Sequence, residues 1–155
     1  MARKLCELVA ESSAFQTRVG VASAADAWPW IHFPFARRSI EAIDGLKKPA
    51  AIVSIAPGYR RGRIAVASAW PQQAVMELIL ADDDHYPDDP ESSAFDFCNF
   101  VDGVIQNLMA VQASGTRLPI EAIELTVRPE CTPLRQAGAK GSEYWSTLLT
   151  VHWGI

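Results

Sequence analysis

Six carboxylates, an imidazole and a phenol crowd into ten residues, Asp82-Asp83-Asp84-His85-Tyr86-Pro87-Asp88-Asp89-Pro90-Glu91. Carboxylate oxygens and imidazole nitrogens bind divalent cations, so metal binding is the first chemistry to weigh. The spacing argues against it. The alternating acids, central glycine and terminal glutamate of a calcium loop are absent, and Pro87 and Pro90 restrict wrapping around an ion. The expectation is a solvated loop whose last acids, Asp89 or Glu91, favour the N-terminus of a following helix. An electrostatic contact with a basic partner is the other alternative.

Catalytic constellations are equally sparse. His32, His85 and His152 are widely spaced and can meet only through the fold. There is no Gly-x-Ser-x-Gly elbow, no phosphate-binding Gly-x-x-x-x-Gly-Lys-Ser/Thr and no His-Glu-x-x-His. Cys6, Cys98 and Cys131 lie far apart without a Cys-x-x-Cys pair, which fits neither a zinc site nor a disulfide framework. Cys98 falls on an apolar helix stripe and reads as a packed small hydrophobe. No catalytic, metal or cofactor-binding residue is assigned, and an enzyme is not expected.

Binding surfaces are the remaining class. Arg60, Arg61 and Arg63 beside Tyr59 form a basic, glycine-punctuated loop that is read first as a solvated hairpin tip, then as a contact with a neighbouring subunit, then as a nucleic-acid contact. Trp28, Trp30, Phe33 and Phe35 pack around Pro29 and Pro34, which read as an extended edge segment or a docking loop rather than a central strand.

The elements that must position these groups follow from periodicity. Residues 3–15 are predicted to form a short helix with Leu5, Leu8, Val9 and Ser12 at helical spacing, and 21–27 to add another turn or two. Arg37 to Lys48 reads as a connector, and 50–55 as a compact strand bounded by Pro49 and Pro57. Ile64 to Trp70 is a further candidate for extended structure. In the strand 73–81, Ala74, Met76, Leu78 and Leu80 share one face, while Gln73, Val75, Glu77 and Ile79 share the other. The best helix runs from about Ser93 to Gln112, capped by Ser92 or Ser93 and closed by Ser114-Gly115. Its core stripe is Ala94, Phe97, Cys98, Val101, Val104, Ile105 and Leu108, with Asn99, Gly103, Gln106 and Asn107 opposite and Phe95 off the stripe. A strand at 121–128 and a terminal strand at 143–155 complete the set. In the terminal strand, Trp145, Thr147, Leu149, Val151 and Trp153 point one way, and Tyr144, Ser146, Leu148, Thr150 and His152 the other. That strand is expected to pair with 120–128 under the long helix, so its deletion should cost the fold.

With one long helix crossing between strands, a regular βαβ barrel or doubly wound sheet is excluded. The fold class is α+β: a mostly antiparallel sheet with the long helix and the short N-terminal helix packed on one face. A length of 155 residues suits one domain, 1–155. The composition, 49% apolar and 21% charged with no run of about 18 apolar residues, is that of a soluble globular protein. Glu7 and Glu11 interrupt the N-terminal segment, so secretion is not expected. The net charge of −4 becomes +2 without the six acids at 82–91, which does not indicate generic nucleic-acid binding.

Leu8-Val9-Ala10-Glu11-Ser12-Ser13-Ala14-Phe15-Gln16-Thr17-Arg18-Val19-Gly20 and the alanine-rich turn after it resemble the opening of small tail-terminator (tail-completion) proteins of tailed bacteriophages and prophages. The layout continues through the Pro-led strand at 49–56, the strand ending in acids at 73–84, the Ser-Ser-Ala-Phe helix start at 92–95, the strand at 120–128 and the closing Tyr-Trp-Ser…Leu-Thr-Val-His-Trp strand. The resemblance implies a non-enzymatic virion protein of the tail or neck. Such proteins form a ring, usually sixfold, at the head-proximal end of the tail tube, where they stop tube growth and offer a surface to the head. Implied partners are further copies of the chain, the tail tube protein, head–tail connector proteins and DNA passing through the lumen; no membrane is implied. Under that reading Trp28, Trp30, Phe33, Phe35, Tyr59, Arg60, Arg61, Arg63, Phe95, Tyr144 and His152 are interface candidates, and Asp82, Asp83 and Asp84 are lumen-facing candidates. The alternatives are a neighbouring head–tail connector, or a small cytoplasmic enzyme using the acidic segment.

Overall fold

The computed structural model describes residues 2–33, 45–55, 74–113, 120–125, 134–137 and 143–153. The order is α1 (Ala2–Glu11), α2 (Ser13–Val19), α3 (Ala24–Ala27), a 3-10 turn (Trp28–Trp30), β1 (Ile31–His32), β2 (Ala50–Ile55), β3 (Ala74–Asp83), α4 (Pro90–Ala113), β4 (Ile120–Leu125), β5 (Leu134–Ala137) and β6 (Glu143–Trp153). The α+β class and the long helix hold as expected.

Five strands run β1-β2-β3-β6-β4 across one sheet, and β5 also pairs with β6. The β1–β2 pair is parallel; all other pairings among the described residues are antiparallel. The terminal strand is central. Along one side it pairs with β3 without a break from Ala74↔Trp153 to Asp83↔Tyr144. On its other side β4 pairs with its second half, Ile123 opposite Val151, and β5 with its first half, Leu134 opposite Ser146. Pairing with 120–125 was legible in sequence; the longer pairing with β3 was not.

The alternation in β3 and β6 builds a layer on each face of the sheet. Met76, Leu78, Leu80, Leu149 and Val151 join Leu5, Leu8 and Val9 of α1, Phe15 of α2 and Phe97, Val101, Val104 and Leu108 of α4 in the main core. Burying a side chain of this kind contributes about 1.5–3 kcal/mol. Ile52, Ile79, Ala81 and Tyr144 form a smaller cluster on the opposite face, with Leu46 and Leu148 against it. Tyr144 is therefore not an assembly contact: it is 2% exposed, and the Lys48 ammonium sits 4.5 Å from its ring centre. On the less apolar side of the strand Tyr144 and Ser146 are buried, and Leu148 and Thr150 are half-buried.

The predicted 3–15 helix is two helices. Ser12 accepts a hydrogen bond from the Phe15 amide at 3.3 Å as the N-cap of α2, which restarts the chain in a new direction. Gln16 Nε2 donates to the Ala10 carbonyl at 2.7 Å, satisfying the end of α1. Gly20 closes α2 at φ 74°, the left-handed conformation that glycine adopts at least cost, and its amide reaches the Gln16 and Thr17 carbonyls. The expected turns at 21–27 are realised as α3, capped by Ser23.

Helix α4 also begins earlier than expected. Asp89, not Ser92 or Ser93, is its cap: its carboxylate accepts from the Ser92 amide at 3.1 Å and the Ser92 hydroxyl at 2.7 Å. Pro90 then occupies the first helical position, where its missing N–H costs nothing. Hydrogen bonding to Ser92 holds the Asp89 carboxyl below its ordinary pKa.

Candidate functional site: the junction of α2, α4 and the acidic turn

Helix α2 crosses α4 antiparallel, fastened at both ends by polar groups. At one end Asn107 Oδ1 accepts from Ser12 Oγ at 2.9 Å, Ser13 Oγ at 3.1 Å and the Ala14 amide at 2.9 Å. This gathers orphan donors of the α2 N-terminus onto one side chain of α4. In the middle the helices touch closely: a Cβ on Gly103 would lie 2.9 Å from Ala14 Cβ, inside normal contact.

At the other end Arg18 forks onto Asp96 of α4, with Nη1 donating to Oδ1 at 3.0 Å and Nη2 to Oδ2. Its Nε donates to Asp82 Oδ2 at the end of β3, and its guanidinium lies 5.3 Å from the Phe100 ring centre. The planar fork suits this bidentate pairing, and stacking on the ring covers its face. Burial pulls the Arg18 pKa down, but hydrogen bonds to Asp96 and Asp82 outweigh it and hold the pKa above the ordinary arginine value. The hydrogen bond from Arg18 holds the Asp96 carboxyl below its usual range against the opposing effect of burial.

The acidic segment is thus structural in part. Asp82 is 0% exposed and also accepts from the Asp83 amide at 2.8 Å, while His85 Nε2 lies 3.1 Å from its Oδ2. It cannot be a lumen-facing charge on this chain, because Arg18 has drawn it into the interior. Asp84 accepts from the Tyr86 amide at 3.0 Å and from the hydroxyl of buried Ser93, which in turn accepts from Trp145 Nε1 at 2.7 Å. The turn is tied to α4 and β6 at once. Of the three lumen candidates, Asp83 stands exposed.

An open groove of about 780 Å³ follows the α2–α4 junction, rimmed by Ser13, Thr17, Asn99, Gln106, His85 and Tyr86. Its floor holds Arg18, Asp96 and Phe100. The strong charges there neutralise one another, and the Ser12 and Ser13 hydroxyls donate to an amide oxygen rather than to a base. The three histidines do not converge on it: His32 lies in β1 opposite Ile52, and His152 lies in β6 opposite Val75 and Ala122. Among the described residues no three His, Cys, Asp or Glu side chains gather as a metal-holding set. Burial raises the pKa of both Cys6 and Cys98, with Asp102 adding to the effect at Cys98, so both favour the thiol at neutral pH.

The other expected surface residues are dispersed. Among the described residues Phe95 is the most open of the large apolar groups, 62% exposed, and Trp28 and Phe33 are also exposed beside the edge strand β1. Trp30 is half-buried against the main core with the Lys47 ammonium 4.1 Å from its ring centre. Of the segment 28–35 expected to be extended at an edge, Ile31–His32 form the edge strand, whereas Trp28–Trp30 form a 3-10 turn, and residues 34 and 35 lie outside the described residues. Phe35, Tyr59, Arg60, Arg61 and Arg63 lie outside the described residues, as do the side chain of His152 and residue Ile155.

Sequence reading missed Arg18, Asp96 and Asn107. The available signals were Ser12-Ser13 inside a supposed helix, a cap signature, and the i, i+4, i+7, i+11 spacing of Asp96, Phe100, Gly103 and Asn107, which defines a second packed face on α4.

No protein-family model matches the chain, and no curated protein matches it. Among the described residues no helix is long and apolar enough to cross a membrane.

Proposed function

We propose that the chain is a tail-terminator-type structural protein of a tailed bacteriophage or prophage. It forms a ring, sixfold in the simplest form, at the head-proximal end of the tail tube, ends tube growth and presents the joining surface for the head. The observation that carries this reading is spatial. Four of the segments on which the resemblance rests, 8–20, 73–84, 92–95 and the closing strand, are spread along the sequence but join in one structural unit through Arg18 to Asp82, and through Ser93 to Asp84 and Trp145. That these segments cooperate in one unit supports reading the resemblance as one of fold. The polar groups available to the enzyme alternative support the same reading, since Asp82, Asp84 and Asp89 are engaged in holding the turn and the helix start.

In this role the partners are copies of the chain, the tail tube protein and the head–tail connector, with DNA crossing the lumen unread. Exposed Asp83 is the acid of the 82–84 group left to repel phosphate there. Imaging of assembled particles with the chain located in them tests the assignment. Density at the junction of tail tube and neck is expected; density elsewhere on the particle, or none, overturns it.

A further inference from the structure

Two side chains in the groove at the α2–α4 junction are fixed in orientation and still have donors to offer. The Ala14 amide can only donate, so its bond to Asn107, with those from Ser12 and Ser13, settles which end of the Asn107 amide is oxygen. Nδ2 is the other end, and its N–H groups have no partner among the described residues. Arg18 is held in the same way: Nε, Nη1 and Nη2 each direct one N–H to Asp82 or Asp96, which leaves part of its five-donor fork unused. Both side chains line the groove. Asp96, which holds Arg18, and Asn107 are eleven residues apart on α4, so the two donors are separated by about 16 Å along the helix at 1.5 Å per residue. Thr17, Asn99 and Gln106 also line the groove, and among the described residues their exposed side chains hold no hydrogen bond within the chain. Each offers both a donor and an acceptor. Arg18 is the sole Lys or Arg of the lining, and it is occupied by two carboxylates. Phe100 is buried beneath its guanidinium, so the floor presents no open apolar surface there.

We infer that this groove binds an extended, uncharged peptide segment of a partner protein through its main chain. The lining selects that occupant. Nucleic acid needs free cations for its phosphates, and an amphipathic helix needs an apolar floor; the groove provides neither. An extended main chain presents carbonyl and N–H groups along its length at about 3.3 Å per residue, so about five residues span the two fixed donors. Its carbonyls suit Asn107 Nδ2 and Arg18, while the side-chain amides of Asn99 and Gln106 match a peptide unit donor for acceptor. Donors fixed before binding reduce the ordering cost of the contact. This binding is separate from ring formation, and either can hold without the other.

The test is selection of a displayed library of random heptapeptides on the full chain, followed by fluorescence anisotropy with the enriched peptides. Enriched peptides should lack Asp, Glu, Lys and Arg in their central positions. They should bind the double variant Asn99→Ala, Gln106→Ala about tenfold or more weaker than wild type, as expected for the loss of two hydrogen bonds. Both replaced side chains are exposed and hold no bond within the chain, so circular dichroism and thermal unfolding should be unchanged. Arg3→Ala, on α1 outside the groove lining, should bind as wild type does. In a nitrogen-15 spectrum the Asn107 side-chain amide signals should shift as peptide is added. No enrichment over the unselected library, peptides that bind the double variant as well as wild type, or Asn107 signals that stay in place at saturation would each overturn the site. So would chitotriose or maltotriose binding in the groove where no peptide does. Failure here leaves the terminator role standing, and a chain that binds peptide in this groove but is absent from the virion does the reverse.

Discussion

Two faces of one helix have opposite fates. Along one, Asp96, Phe100, Gly103 and Asn107 meet α2, and three of the four are groups that hydrophobicity alone would turn outwards. Along the other, Glu91, Phe95, Asp102 and Met109 stand exposed, including the phenyl ring that hydrophobicity would turn inwards. The difference is one of partners. Burying a carboxylate costs several kcal/mol unless a cation and hydrogen bonds accompany it, and Arg18 supplies both to Asp96 and Asp82. An exposed phenyl ring has no such requirement, so it is available to a contact outside the chain.

Removing the cation should expose this contrast most strongly. Arg18→Met strands the buried Asp82 carboxylate and is expected to cost about 3–5 kcal/mol, read as a lowered unfolding midpoint in urea. A loss under about 1 kcal/mol would mean that the pair is a surface pair in solution. Next in size, Gly103→Leu drives a branched side chain into Ala14 and should cost about 1–3 kcal/mol; unchanged stability would show that α2 and α4 stand further apart than described. Asn107→Ala removes the acceptor of three hydrogen bonds and is expected to cost about 1–2 kcal/mol, as for loss of a helix cap. A urea titration compares it with Ser12→Ala, which should lose less.

Acid sharpens the same comparison. The folded pKa of Asp96 is depressed by Arg18, so its contribution is complete above the unfolded value of about 3.9 and is lost as pH falls through the folded value. Wild type and Asp96→Asn should therefore differ in melting temperature at neutral pH and converge in strong acid. Parallel curves across that range would show that Asp96 does not contribute through its ionised form. The smallest effect is expected on the outer face, where Phe95→Ser should shift stability by no more than about 0.5 kcal/mol in either direction.

Much of the sheet was legible because period-two alternation directly reports which residues share a face. Ala50–Ile55 emerged with its ends intact, and β3 with its apolar face correct. The fate of the second face was less legible: alternation with Tyr144 and Leu148 looks half-exposed until a layer on the other side covers it. The junction was hidden for a different reason. Arg18 meets partners 64 and 78 residues away, and no local pattern reports such a meeting. A run of acids reads as solvated because its average is hydrophilic, yet one member, Asp82, can be drawn inside by a single arginine. Phe95 was legible as off the stripe because its angle on the helix is a local property.

The terminator role itself is tested most directly by the length distribution of tails assembled in the absence of this chain. Tubes of uncontrolled length that do not join heads are expected. Tails of normal length joined to filled heads would contradict it.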